Sequence, residues 1–331
     1  MRLFEGKILV TGGAGLIGSA VVWALNCLEF ENIIVCDRLS NDDRYKNLIP
    51  LRFHDYVDAD DLLTYLKSPE GTHIKTIFHL GACANTAESD CRFLMKNNFE
   101  FTKNLAHHAV ERGIRFVYAS SAATYGDGQQ GMNDDGVEKL RPLNMYAYSK
   151  QLFDVYSRNM KLYGIKYFNV FGPNENHKSC MMSMVARAYQ QIRETGKVKL
   201  FKSYHSQYAD GYQKRDFLYV KDAADMTIFL GSVPEKIDGH ETTGIYNCGS
   251  GIASSWIDLV GPIFEILGRP HCIEFIEMPE VLREKYQYYT CANIRKLRSI
   301  GYKRPLMPLR EAVTDYIANY LIPKKRLGEE Y

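Results

Sequence analysis

The sequence predicts an α/β protein, a doubly wound parallel sheet with a smaller, mainly C-terminal lobe, on three observations. Residues 7–18 read KILVTGGAGLIG, an apolar run ending in Thr11 and followed at once by Gly12, Gly15 and Gly18, with Leu16 and Ile17 opening a helical pattern. A second apolar run, Ile33 to Cys36, ends in Asp37, nineteen residues beyond Gly18. Short apolar runs then alternate with helical stretches through the first half of the chain, the rhythm of βαβ units. Strand, glycine turn and helix in that order are what a Rossmann-type dinucleotide fold needs. One glycine permits the tight turn, one lets backbone N–H groups approach a pyrophosphate, and one lets helix and strand pack closely. The pyrophosphate then sits at the positive end of a helix dipole, and the acid at position 37 is placed for a ribose hydroxyl.

Each element follows in turn. Strands are expected at 7–11, 33–36, 75–80, 115–120 and 164–171, and helices near 16–28, 59–67, 91–112 and 144–162. After Gly172-Pro173 the rhythm changes. A helix near 179–194 leads to a strand at Val198–Phe201, and SYHSQYADGYQK (203–214), polar and aromatic, reads as a loop. Strands at 216–219, 245–248 and 273–277 and helices at 221–232, 254–268 and 308–322 complete the pattern. The resulting division assigns 1–168 with 213–248 to dinucleotide binding and 169–212 with 249–325 to the substrate lobe.

Composition narrows the class. The 331 residues are 46% hydrophobic and 24% charged, with a formal net charge of +2, which gives no sign of nucleic-acid or membrane affinity. No apolar run reaches the ~20 residues needed to span a bilayer. The first strand begins by Lys7, which leaves no room for a signal peptide. Eight cysteines (27, 36, 83, 91, 180, 248, 272 and 291) are scattered without metal-ligand spacing. They read as reduced thiols, with no metal and a cytoplasmic location.

The chemistry lies in YASSAATYG (118–126) and NMYAYSK (144–150). Tyr146 and Lys150 stand four apart on an expected helix and share one face. A tyrosine is a poor base near neutral pH, and an adjacent lysine cation together with an oxidised nicotinamide should favour the phenolate. Ser121 lies at the C-terminal end of an expected parallel strand, where ligands of such sheets bind, and its hydroxyl can bond a substrate oxygen.

Together, TGGAGLIG, Asp37, HLGACA (79–84), YASSAATYG and YAYSK resemble the extended short-chain dehydrogenase/reductase family of nucleotide-sugar enzymes, with Leu16 where Phe is more usual. KYFNVFGPNENHK (166–178), QKRDFLYVKDAADM (213–226), GIYNCGSG (244–251) and LREKYQYYT (282–290) narrow the resemblance to the ADP-L-glycero-D-manno-heptose 6-epimerases, over about residues 7–320. That resemblance implies transient oxidation of the heptose at C6″ with bound NADP, and return of the hydride to the opposite face. It also implies a role in supplying the lipopolysaccharide inner core, and a homo-oligomer is expected. The implied catalytic pair is Tyr146 and Lys178, one for each orientation of the sugar, with Ser121 and Lys150 assisting. Cofactor contacts carry over to Gly12, Gly15, Leu16, Ile17, Gly18, Asp37, Arg38, Arg44, Leu80, Gly81, Ala82, Cys83, Ala84, Asn97, Lys150, Val170 and Lys178. Substrate contacts carry over to Ser121, Asn169, Cys180, Arg187, Phe201, Lys202, Ser203, Tyr204, Arg215 and Tyr286. Arg215 suits a diphosphate, although a surface ion pair with Asp216 or Asp222 is its simpler reading.

Three departures touch substrate recognition: Cys180 where some members carry Ser, Arg187 where some carry His, and the longer 203–214 loop. A 4,6-dehydratase would need an acid just after the strand end, where this chain has Ala122 and Ala123. A UDP-hexose 4-epimerase remains the alternative, disfavoured by His177-Lys178 and by the 285–287 element. A non-catalytic dinucleotide sensor would be expected to lose Ser121, Tyr146 or Lys150. Asp37 suits the ribose of NAD, while Arg38 and Arg44 can pair with the 2′-phosphate of NADP; NADP is favoured.

Overall fold

A computed structural model describes residues 4–283 and 286–329. The side chains of Ser179, Cys180 and Val281 lie outside the description, as do Glu284 and Lys285 of the expected 282–290 element. The chain runs β1 (Lys7–Thr11), α1 (Leu16–Cys27), β2 (Ile33–Asp37), β3 (Asp55–Asp58), α2 (Leu62–Tyr65), β4 (Ile74–His79), α3 (Cys91–Leu94), α4 (Phe101–Arg112), β5 (Arg115–Ser121) and α5 (Met145–Tyr156). It continues through β6 (Tyr163–Tyr167), β7 (Asn169–Phe171), α6 (Met184–Thr195), β8 (Val198–Phe201), β9 (Lys214–Tyr219) and α7 (Val220–Ser232). Next come β10 (Lys236–Ile237), β11 (His240–Glu241), β12 (Gly244–Cys248), β13 (Ala253–Ser255), α8 (Trp256–Ile266) and β14 (Ile273–Ile276). Helices α9 (Glu280–Arg283), α10 (Arg295–Ser299) and α11 (Leu309–Tyr316) end the order.

Seven strands form one parallel sheet in the order β12-β6-β5-β4-β1-β2-β3. Successive β1 side chains feed opposite cores. Ile8 and Val10 pack with the apolar faces of α1 and α7, and Leu9 packs with Leu105, Ala106 and Ala109 of α4 and Phe153 of α5. Winding reverses between β1 and β4, so a crevice opens beyond their C-terminal ends.

The expected strand at 164–171 divides. Residues 163–167 stay in the large sheet, while Asn169–Phe171 leave it to pair with β9, which also takes β13, in a three-stranded sheet. Strands β8 and β14 form a separate parallel pair. Other elements are shorter than their pattern: 59–67 keeps only α2, and the helix expected from 179 begins at Met184, capped by Ser183 and preceded by a 3-10 segment, Asn176–Met181. The stretch 91–112 is helical throughout, but Met95–Glu100 is π-helical. Asn97 of this segment lines the cavity beside the glycine turn, and Asn98 is buried against the loop after β4; π-helical turns are common beside functional sites.

Candidate functional site

The glycine turn is built by close backbone approach. Gly12 has φ +67°, and a β-carbon there would come within 2.6 Å of the Gly81 nitrogen. One at Gly18 would come within 2.0 Å of the Gly12 carbonyl oxygen. Gly15 caps α1 without a side-chain acceptor, which leaves the first helical N–H groups, at Leu16 and Ile17, for an anion. The loop after β4 is held against this turn: Thr11 Oγ1 accepts from the Gly81 N–H at 3.1 Å and contacts Nδ1 of His79 at 2.7 Å. Burial keeps His79 neutral, its pKa drawn down to about 3.

A cavity of about 400 Å³ opens here, lined by Thr11, Gly12, Asp37, Arg38, Arg44, Gly81, Ala82, Cys83 and Asn97 among others. The shape and donors fit a dinucleotide: a β-carbon would fill the Gly12 cradle, free helix N–H groups face an anion, and an acid ends β2. Asp37 accepts from the Ala14 N–H at 2.9 Å and from the Arg38 N–H at 2.8 Å, and pairs with Arg44 at 3.2 Å. Neither arginine hangs free. Arg44 also binds Asp42 at 2.7 Å, and Arg38 binds Asp60 at 2.7 Å and Asn97 at 2.9 Å.

Two residues that the sequence did not single out hold this region together. Asn98 accepts from the Cys83 N–H at 2.9 Å, donates to the Cys83 carbonyl at 3.0 Å and reaches Ser149 of α5 at 3.1 Å. Asn47 donates to the carbonyls of Ala14, at 2.9 Å, and Asn174, at 3.0 Å, stapling the glycine turn to the segment that carries His177 and Lys178. Both lie in polar runs, DDRYKN and KNN, where no periodic or motif signal separates them from their neighbours.

On α5, capped by Asn144, Tyr146 and Lys150 share the face turned to the end of β5. The Ser121 hydroxyl lies close enough to the Tyr146 phenol to oppose the rise in its pKa. The Lys150 ammonium donates to the Ala119 carbonyl at 2.8 Å. Burial pushes the Tyr146 pKa up, opposed by Ser121 and reinforced by Cys83 and Asp154, and burial lowers Lys150 to about 8. Lys178 sits on the 3-10 segment, its pKa lowered by burial and partly restored by Glu175, whose carboxylate accepts from the Ser183 N–H at 2.5 Å and hydroxyl at 2.6 Å. His177 beside it is lowered to about 4 by burial, then by Lys178 and Arg44.

Across the crevice, Arg215 on β9 is buried and forms no ion pair with Asp216 or Asp222. Asp216 accepts from the Ser250, Gly251 and Ala292 N–H groups, and Asp222 from that of Met307. Among the described residues the guanidinium has no carboxylate partner. It lies 4.9 Å from the Tyr286 ring centroid and 5.9 Å from that of Trp256, and burial lowers its pKa. Trp256, which the sequence does not mark, donates to Tyr286 at 2.9 Å, and Tyr288 of the 282–290 run packs edge-on against Tyr286. Phe201 ends β8, and beyond it Lys202 pairs with Glu277 at 2.6 Å, the Ser203 N–H donates to Asp210 at 2.6 Å, and Tyr204 bonds Glu277 under the Arg283 guanidinium. Asn169 donates to the Asp216 carbonyl at 2.9 Å, and Val170 is half-buried in β7. Arg187 lies on the exposed side of α6, opposite its buried stripe, and is not joined to this cluster. No helix among the described residues is long and apolar enough to cross a membrane.

A model of the NAD dependent epimerase/dehydratase family matches residues 8–249. The chain is 44% identical over 330 residues to an ADP-L-glycero-D-manno-heptose-6-epimerase of Fusobacterium nucleatum, covering 95% of this chain and 98% of the relative. It is 46% identical over 320 residues to one of Nitratidesulfovibrio vulgaris, covering 95% and 97%. The crystal structure of the Helicobacter pylori ADP-L-glycero-D-manno-heptose-6-epimerase superposes with a TM-score of 0.80 at 27% identity, covering 96% of this chain and 99% of that one.

Proposed function

This chain belongs to the NAD dependent epimerase/dehydratase family, alongside its ADP-L-glycero-D-manno-heptose 6-epimerases, and from that we propose that it interconverts ADP-D-glycero-D-manno-heptose and ADP-L-glycero-D-manno-heptose. What supports the reading is two proton-handling groups on separate elements, Tyr146 buried on α5 and Lys178 half-buried on the 3-10 segment that follows Asn174, whose carbonyl Asn47 ties to the glycine turn. A nicotinamide dinucleotide bound there supplies reversible oxidation at C6″. The protein's own groups do the rest. The Tyr146 hydroxyl oxygen exchanges a proton with the C6″ oxygen in one orientation of the sugar, and the Lys178 Nζ does so in the other. Ser121 bonds that same oxygen and steadies the Tyr146 phenolate. Lys150 would hold the nicotinamide ribose. Arg215 grips the diphosphate in a bidentate fork, with Tyr286 closing over it and residues 201–204 lining the sugar end.

NADP is the cofactor we favour. Arg38 and Arg44 line the cavity beside Asp37, so two guanidinium groups can turn to a 2′-phosphate. In the same reading, residues 1–168 with 213–248 bind the dinucleotide, 169–212 with 249–325 bind the sugar nucleotide, and the enzyme works as a cytoplasmic homo-oligomer.

The test is direct. Purified protein incubated separately with each ADP-heptose epimer should yield the same mixture of both, resolved chromatographically. Conversion of UDP-glucose to UDP-galactose, with the ADP-heptoses untouched, would replace this reading with a UDP-hexose 4-epimerase.

A further inference from the structure

Beneath the Tyr146–Lys150 face of α5 lies an ion pair that none of the roles above uses. Lys166 of β6 and Asp154 of α5 meet at 2.5 Å, both side chains wholly buried. An isolated pair of this kind contributes little net stability, because the desolvation of two charges offsets their attraction. Its connections point to another purpose. Asp154 stands one helical turn beyond Lys150 and two beyond Tyr146, on the same face. Its carboxylate accepts from Ser120 at 2.7 Å and from Tyr118 at 3.1 Å, both on β5, the strand that ends in Ser121. Lys166 donates to Thr124 at 2.6 Å and lies 5.3 Å from the Tyr125 ring centroid. Thr124 in turn donates to the Ser121 carbonyl at 2.7 Å, closing the 3-10 turn Ala122–Tyr125 that Ser121 caps.

We propose that Asp154 and Lys166 are positioning residues that lock the helix bearing Tyr146 and Lys150 to the turn bearing Ser121, fixing the distance between the phenol and the serine hydroxyl. Two elements with no covalent reason to keep register are thereby joined through one buried charge pair. Asp154 ties α5 to the strand, and Lys166 ties the same carboxylate to the turn beyond it. The geometry needed for proton exchange is set to within tenths of an ångström by groups that never touch the sugar.

The activity part of the test rests on the epimerase reading; the exchange part does not. Removing one partner alone strands a buried charge, so the informative variant is the neutral pair Lys166→Met/Asp154→Asn, in which the asparagine carbonyl still accepts from Ser120. We expect it to melt within a few degrees of wild type. We expect kcat to fall at least 30-fold with KM changed less than threefold, and Lys166→Arg to keep kcat within fivefold of wild type. Amide hydrogen exchange at residues 122–126 should rise at least tenfold, with the rest of the large sheet unchanged. Exchange that is unaltered there, or a kcat within threefold of wild type, overturns the proposal. If wild type itself fails to interconvert the ADP-heptoses, the epimerase reading falls, and exchange at 122–126 still decides the positioning role.

Discussion

Replacing Arg215 with Met separates a ligand-binding residue from a structural one, because the two roles predict opposite signs. The guanidinium is buried, has no carboxylate partner among the described residues, and is held by aromatic faces at 4.9 and 5.9 Å and one bond to the Lys214 carbonyl at 3.0 Å. That carbonyl also accepts from the Thr290 N–H at 3.2 Å, so the substitution does not orphan it. Loss of the cation–π contacts removes about 1–2 kcal/mol, and relief of an unpaired buried charge returns a comparable amount. The folded protein alone should therefore change in stability by less than about 1 kcal/mol. Ligand binding behaves differently. A bidentate grip on a diphosphate contributes two charged hydrogen bonds of about 1.5–3 kcal/mol each. Even the lower end, about 3 kcal/mol, weakens binding on the order of 100-fold. Calorimetric titration of ADP into Arg215→Met and wild type, with thermal melts of both in the absence of ligand, measures each quantity. A variant that melts far below wild type yet binds ADP within threefold would refute the reasoning and make Arg215 an architectural residue.

Other outcomes follow from the same geometry. Tyr146→Phe and Lys178→Met should each lower epimerisation in both directions on the order of 10²–10⁴-fold, with cofactor binding retained; near-normal turnover by Lys178→Met would leave one tyrosine serving both faces. Replacing Arg38 and Arg44 together with Ala should weaken NADP by about 1.5–3 kcal/mol per lost charged hydrogen bond and NAD little, by fluorescence titration, and equal losses would show that neither reads the phosphate. Lys150 titrates near 8 when folded against its ordinary 10.5, so the whole penalty of its buried charge is felt below about pH 8 and fades as pH rises toward 10.5. The stability of wild type relative to Lys150→Met, from denaturant melts, should accordingly improve by about 3 kcal/mol between pH 8 and 10.5, and a flat difference would contradict it.

Much of this site is legible in the sequence because its chemistry leaves few choices of residue. Only glycine tolerates the approach between positions 12 and 81, and a four-residue spacing puts Tyr146 and Lys150 on one helical face. What stays hidden are tertiary contacts made by individual polar side chains. Asn47, Asn98, Asp154 and Lys166 carry no local pattern, and each acquires its meaning from a partner distant in sequence or across the sheet. The π-helical turn at 95–100 is likewise invisible, since the apolar spacing of 91–112 suits an unbroken α-helix. β3 was missed because DYVD, at the sheet edge, shows little apolar character. The division of 164–171 arises where the Phe168 N–H still bonds the Cys248 carbonyl at 2.9 Å while Asn169 turns to β9, a choice of partner that one strand's composition cannot encode. Arg215 shows the converse: Asp216 and Asp222 follow it in sequence, yet the fold gives those acids backbone partners and leaves the arginine to aromatic rings.

The central claim is that C6″ is inverted by removal and return of a hydride rather than by loss of a proton. ADP-heptose carrying deuterium at C6″, turned over to equilibrium in ordinary water and examined by mass spectrometry and NMR, distinguishes the two. The account predicts that both epimers keep the deuterium at C6″, with no net change in nicotinamide absorbance during turnover. Exchange of that deuterium with solvent at the rate of epimerisation would contradict it.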